Sequence, residues 1–376
     1  MKIIENLVRD NLRNLKPCVH GAEVLGAAQE SGFSPQEILD FSSSVNPLGP
    51  SKKALVAAKK SLNQIAAYPD SNSNELRDQL ASHLGVNRGN LIVGNGSTEL
   101  MYLFAEIFLK PGETAVIPAP TFGEYEGAVR KAGVEPKFVK LGKNFQIDAQ
   151  AFKLSMAGAK IVFLCNPNNP TGMLIHPETL KDIVETALTQ DTLVFLDEDF
   201  LEFVDDRKTL SMIGNIGKYP NLFILRSFTK IFGLTGLRVG YGIANQDIIN
   251  ILLCAKIPWN VNCVAQAAAV AALKDGQHLQ VTREFIKKEK AWLSSELAGF
   301  KSFKILPSDA NFYFIDIRKS KLTAAELRNR VLAQGILIRD CTSFKGLDEF
   351  YIRIAVKTHE ENQKLIAALK QAVKSD

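Results

Sequence analysis

Residues 160–200 read KIVFLCNPNNPTGMLIHPETLKDIVETALTQDTLVFLDEDF. Two apolar runs, KIVFLC and TLVFLD, flank the amphipathic stretch PETLKDIVETAL, and CNPNNPTG after the first run is too polar and turn-rich to continue a strand. Strand, turn, crossover helix and strand in that order is the unit of a parallel sheet, whose strands read as continuous apolar runs because both faces are covered. The rhythm extends outward. Upstream stand LIVG with TELMYLFAEIFL, then TAVIPA with GEYEGAVRKAG; downstream LFILRS closes the series at Ser227. The pattern predicts an α/β fold, with a mainly parallel sheet and helices on both faces. After about residue 260 it changes to two long amphipathic helices over roughly 262–298, then ANFYFIDI, a helix near 323–334, ILIRD, FYIRIAV and a closing helix, which suits a smaller α/β unit. The expected division is a large domain over 51–260, a small C-terminal domain over 261–376, and an N-terminal segment, 1–50, that joins the small domain.

Composition narrows the function. The net charge of +5 arises from 45 basic against 40 acidic residues spread without a dense basic block, so it fits a small anionic ligand and not a nucleic acid. The five cysteines are odd in number and lack close-pair metal spacing, which suits reduced thiols and no metal site. The opening MKIIENLVRDNLRNLK has no apolar core of signal-peptide length, and no uninterrupted apolar run nears the ~18 residues of a membrane span. A cytoplasmic protein without membrane insertion is expected.

Several segments carry chemistry. In SFTKIFGLTGLRVGY, 227–241, Lys230 lies among Phe228, Ile231, Phe232 and Leu234, flanks that argue against an exposed lysine. Ser227, Thr229 and Arg238 in the same segment could bind a dianionic phosphate, and a buried lysine near a phosphate is what a Schiff base to an aldehyde cofactor requires. GNGSTELMYLF, 94–104, is a glycine turn opening into an apolar helix, whose free N–H groups and dipole favour an anion, although Ser97 and Thr98 are also good N-caps with no ligand. CNPNNPTG, 165–172, is by itself a tight turn. Asp197 ends an apolar strand at the edge where open α/β sheets bind ligands, and its partner is a ring nitrogen, a salt bridge or a helix N-terminus.

Taken in order, these segments together with the PAPTF loop resemble the class I/II aminotransferases of fold-type I, enzymes of pyridoxal 5′-phosphate (PLP), over essentially the whole chain. The resemblance implies that Lys230 holds the cofactor and shuttles protons while Asp197 keeps its ring nitrogen protonated. It further implies that Asn169 bonds the ring's phenolic oxygen, that Phe122 stacks on its face, and that Gly96, Ser97, Thr98, Ser227 and Arg238 bind its phosphate. Tyr68, in AAYPDSNSNELRDQLA, looks like the tyrosine that reaches the neighbouring subunit's cofactor, which implies a homodimer with shared active sites.

Within the superfamily, His20-Gly21 followed by Asn46-Pro47-Leu48-Gly49 is similar to the threonine-phosphate decarboxylases of cobalamin biosynthesis, which usually have His-Gly-Gly where this chain has His-Gly-Ala. Relatives of the histidinol-phosphate aminotransferase type usually carry a tyrosine in the position of Phe200, where it bonds the phenolic oxygen, and Phe200 cannot. Arg339 in GILIRD and Arg353 in FYIRIAV are surface residues or, flanked as they are by Ile and Val, aim at an anion. By resemblance these two arginines, with His20, Gly21, Asn46 and Asn169, grip an amino acid phosphate. The expected reaction is loss of CO₂ from O-phospho-L-threonine to give (R)-1-aminopropan-2-yl phosphate, with a histidinol-phosphate-type aminotransferase or an O-phospho-L-serine decarboxylase as the alternatives.

Overall fold

The computed structural model describes residues 7–13 and 15–374, so the first six residues of the N-terminal segment, read above as free of a leader, lie outside the described part. Its strands are β1 (Leu39–Asp40), β2 (Leu91–Gly94), β3 (Ala115–Ala119), β4 (Pro136–Lys140), β5 (Ile161–Cys165), β6 (Leu193–Asp197), β7 (Leu222–Ser227), β8 (Gly240–Ala244), β9 (Lys304–Ile305), β10 (Phe312–Asp316), β11 (Ile336–Leu337), β12 (Arg339–Asp340) and β13 (Tyr351–Ala355).

Seven strands form one sheet in the order β2-β8-β7-β6-β5-β3-β4. Neighbours from β4 to β7 are parallel, and β8 alone runs antiparallel to both of its partners, β2 and β7. The apolar runs dictate this arrangement because successive side chains of a strand point to opposite faces. Val162, Leu164, Val194 and Leu196 enter one core with Leu180, Ile183 and Val184 of the helix Pro177–Thr189. Ile161, Phe163, Cys165 and Phe195 enter the other with Leu100, Met101 and Phe104 of the helix Ser97–Phe108. The sheet is thus covered on both faces, as the sequence requires.

Two strands escape the apolar-run reading for physical reasons. β4 is an edge strand with half-buried residues, so it lacks a continuous apolar run. β8, GYGIA, looks like a turn, yet its glycines are demanded by close approach. A Cβ on Gly240 would lie 2.4 Å from the Ser97 amide nitrogen, and one on Gly242 would lie 2.2 Å from the Phe223 ring.

A second, four-stranded antiparallel sheet has the order β12-β13-β10-β9 and sets Arg339 directly opposite Arg353. β1 pairs in parallel with β11, and Phe41 bridges onward, its amide donating to Leu337 O and its carbonyl accepting from the Ala355 amide. A buried charge network ties the first sheet to the helix Gly276–Ala298. Arg226 on β7 donates to Glu198 and Glu202, and Arg283 on that helix donates to the second Glu202 oxygen at 2.6 Å. Shared donors satisfy both carboxylates, the condition under which buried ions are tolerated. Among the described residues no helix is long and apolar enough to cross a membrane, and no cluster of His, Cys, Asp or Glu is set to hold a metal ion.

Candidate active site

β8 reverses direction between β2 and β7, so β2 and the parallel strands all end at one edge of the sheet, the edge at which such folds bind ligands. The turns leaving that edge carry Gly96-Ser97, Phe122, Asn166–Gly172, Asp199-Phe200 and Thr229-Lys230. Those bearing Phe122, Asn169, Phe200 and Thr229-Lys230 meet the antiparallel sheet and the segment around His20 across a cavity of about 820 Å³, whose walls also include His20 and Arg353.

Lys230 stands half-buried on the cavity wall, its Nζ 5.2 Å from the centre of the Phe200 ring. Desolvation lowers its ammonium pKa; the cations Arg353 and Arg238 push the same way, while Asp199 and Asp197 oppose. The lysine is therefore placed to lose its proton and act as a nucleophile. Asp197 is buried at the end of β6, accepting from the Tyr125 hydroxyl at 2.8 Å and from the Asp199 amide at 2.9 Å. Burial and the adjacent Asp199 charge raise its pKa despite those bonds, so it is a carboxylate short of a cation. Tyr125, fully buried beside it, is held protonated by desolvation and by Asp197.

Arg353 is buried, donates to Asn169 Oδ1 and to Ser42 O, and lies 5.0 Å over the Phe312 ring. Its Nε has no partner within the protein, and desolvation pulls its pKa down to about 10, still cationic at neutral pH. Phe200 packs edge-on against Phe312, which makes it a core contact as well as a wall of the cavity. Gly96 takes φ +83, and a Cβ there would sit 2.5 Å from Arg238 Nη2, so the glycine turn and the guanidinium close on one another at the start of the helix Ser97–Phe108.

Other expected site residues take different places. Arg339 lines the cavity, but its Nη1 and Nη2 donate to the carbonyls of Val19 and His20 and to Ser343 Oγ, so it holds the segment 19–20 in place. His20 Nε2 pairs with Glu124 Oε1 at 2.8 Å, and the Tyr102 hydroxyl donates to the other Glu124 oxygen. Burial would raise Glu124, but the bonds from His20 and Tyr102 hold it below the usual carboxylate range. Gly21 lines the cavity with no room for a side chain, since a Cβ would lie 2.6 Å from Ser42 O. Asn46 points away from open space: its amide donates to Lys230 O and its side chain to Ile231 O, bracing the lysine turn from behind. Tyr68 is 81% exposed and stacks on Trp259 at 4.7 Å, outside the cavity of this chain. Tyr125, Glu124, Ser42 and Asp199 were not singled out from the sequence. Tyr125 and Glu124 directly follow the PAPTF loop, and Asp199 shares the strand-end signal of Asp197.

These residues fit PLP on their own chemistry. Asp197 lacks the cation that a protonated ring nitrogen would supply, the Gly96–Arg238 turn is built for an anion, and Lys230 has a lowered pKa beside both.

Comparison with known proteins agrees. The model of the family "Aminotransferase class I and II" matches residues 36–369. The histidinol-phosphate aminotransferase of Methanothermobacter thermautotrophicus is 34% identical over 371 residues, 97% of each chain. The crystal structure of the histidinol-phosphate aminotransferase from Clostridium acetobutylicum superposes with a TM-score of 0.85 at 32% identity, covering 90% of this chain and all of that one. The Sinorhizobium meliloti histidinol-phosphate aminotransferase, solved with pyridoxal 5′-phosphate, shares the fold at a TM-score of 0.88, 24% identity and 98% coverage of both chains. The L-threonine-O-3-phosphate decarboxylase of Porphyromonas gingivalis is also similar, at a TM-score of 0.80 and 28% identity over 89% of this chain and 99% of that one.

The expected phosphothreonine decarboxylase, with its place in cobalamin biosynthesis, is therefore corrected: histidinol-phosphate aminotransferases match the chain along its full length at 32–36% identity, above the 28% of the decarboxylase. The features that suggested a decarboxylase have other employment here. Asn46 braces a turn, Phe200 packs on Phe312 and His20 is paired with Glu124. The chain has the fold-type I architecture and belongs to the class I and II aminotransferase family of pyridoxal 5′-phosphate enzymes.

Proposed function

We propose that this protein is a histidinol-phosphate-type aminotransferase that moves the amino group of an amino alcohol phosphate to a keto acid. Full-length likeness to histidinol-phosphate aminotransferases at 32–36% identity carries the reading. The cavity suits it: the substrate's phosphate is an anion for Arg353, whose Nε is unpartnered, and Asn169 beside it keeps its amide N–H groups to donate. When bound, PLP supplies an electron sink for breaking a bond at the carbon that bears the amine. Lys230 would anchor the cofactor, and its Nζ, once released, would carry a proton to and from the substrate. Asp197, steadied by Tyr125, would hold the charge of the ring nitrogen; Phe122 would pack on the ring; Gly96, Ser97, Thr98, Ser227 and Arg238 would bind the phosphate, and Asn169 would donate to the phenolic oxygen. Residues 51–260 carry the cofactor, and 1–50 with 261–376 close on the substrate.

The deciding experiment incubates the purified protein with histidinol phosphate, phosphothreonine or phosphoserine, with and without 2-oxoglutarate. Glutamate should form from histidinol phosphate only when the keto acid is present. CO₂ release from either phosphoamino acid, without glutamate from histidinol phosphate, would overturn the reading.

The working unit in this reading is a homodimer with shared sites. Leu62, Ile65, Tyr68, Ile257 and Trp259 are all exposed, apolar surface of a kind that marks interfaces. Tyr68 then reaches the partner's cofactor phosphate. Sedimentation should give a dimer, and Tyr68→Phe should weaken cofactor retention about tenfold, the loss of one hydrogen bond of about 1.5 kcal/mol to a charged group, without lowering the melting temperature. An active monomer would refute the sharing.

A further inference from the structure

Tyr125 lies in the first turn of the helix Glu124–Lys131, and its side chain is shut off from solvent. Aromatic rings of the sheet enclose it: Phe163 on β5 stacks on it at 5.5 Å, and Phe195 on β6 meets it at 6.3 Å and 62°. A hydroxyl buried so deeply needs a partner, and this one donates to Asp197 Oδ2 at 2.8 Å. The Asp199 amide holds the other oxygen at 2.9 Å, so the carboxylate is tethered at both oxygens and cannot turn without breaking a bond. Cys165 from β5, Asp199 beyond β6 and Lys230 beyond β7 are the titratable groups near Asp197, whereas Tyr125 is the side chain that bonds it among the described residues.

On its other side Tyr125 meets Phe122. The two rings pack edge to face, with centres 5.7 Å apart and planes at 87°, and the Tyr125 amide donates to Phe122 O at 3.3 Å. That is a favoured geometry for an aromatic pair, and it limits how far Phe122 can tilt.

We infer that Tyr125 is a positioning residue for the cofactor ring, fixing at once the carboxylate that pairs with the ring nitrogen and the aromatic side chain that covers the ring's face. Being shut off from solvent, it acts through these two neighbours. The inference rests on the roles given above to Asp197 and Phe122 and is independent of the substrate, which does not enter the argument.

The test uses Tyr125→Phe, which keeps the ring and removes the hydroxyl, and Tyr125→Leu, which removes both contacts. Tyr125→Phe is also combined with Asp197→Ala. Full-length protein is stripped of cofactor and titrated with PLP, and the circular dichroism induced in the bound cofactor is recorded at saturation. Tyr125→Phe should weaken PLP binding about tenfold, the worth of one hydrogen bond to a charged group. Tyr125→Leu should weaken it further and change the induced dichroism, because Phe122 loses its edge contact. In the Asp197→Ala background, Tyr125→Phe should cost less than about twofold, since no carboxylate is left to hold, whereas a role in packing alone would cost the same in both backgrounds. Melting curves of the stripped proteins identify the folded variants, and Tyr125→Phe decides if Tyr125→Leu does not fold. Binding by Tyr125→Phe within about twofold of wild type, or an equal loss in both backgrounds, would overturn the inference and leave the role of Asp197 intact. Wild-type affinity in Asp197→Ala alone would instead remove the reading of Asp197, and the inference with it.

Discussion

Lys230→Ala is expected to lower turnover by at least about 10⁴-fold, the upper reach of a single positioned acid–base group, because it removes an anchor and a proton carrier together. The fold should survive. The lysine turn is fixed by Asn46, whose amide and side chain bond the carbonyls of Lys230 and Ile231, and by the Gly233 amide on Lys230 O, none of which uses the side chain. Borohydride reduction of wild-type protein should fix the cofactor as a stable adduct at Lys230, and the variant should give none there. Mapping of the wild-type adduct to another lysine, or turnover in the variant within tenfold of wild type, would end this assignment.

Arg353 commands the next largest effect. Its guanidinium is buried, its Nε is unbonded, and burial lowers its pKa to about 10, so it is a desolvated cation that the proposed reading pairs with an anionic ligand. Truncating one partner of such a buried contact costs on the order of 2–5 kcal/mol. At about 1.4 kcal/mol per decade, Arg353→Ala should reduce kcat/KM for the phosphorylated substrate roughly 30- to 5,000-fold. Arg353→Lys should recover little, because a point charge cannot reproduce a planar fork that also donates to Asn169 and Ser42 O. An Ala variant with unchanged kcat/KM for histidinol phosphate would place the anion elsewhere.

The sheet was legible because its strands are buried on both faces, so Ile161–Cys165 and Val194–Asp197 announce themselves as unbroken apolar runs. β4 and β8 were hidden for opposite reasons, one too exposed to be apolar, the other so closely packed that only glycine fits. At the site, position along the chain could be read: Asp197 ends β6, and Asn169 and Lys230 lie in the turns that follow β5 and β7. What position along the chain cannot convey is who meets whom across it. The Tyr125 bond to Asp197 spans 72 residues and the Arg339 bond to His20 spans 319, and no periodicity encodes either. The decarboxylase expectation rested on three short signals, His20-Gly21, Asn46–Gly49 and Phe200, and likeness along the whole chain outweighs them.

The antiparallel β8 has a consequence for how the lysine is mounted. β7 and β8 are the legs of one hairpin whose loop carries Lys230, and each leg is paired on both sides, β7 with β6 and β8 with β2. A reactive residue on a flap can be displaced by a small local opening, but this one sits on a double-stranded bracket flanked by a further strand on either side in a seven-stranded sheet. Peeling the bracket away means breaking two further ladders, so the two ends of the lysine's loop stay fixed as long as the sheet holds.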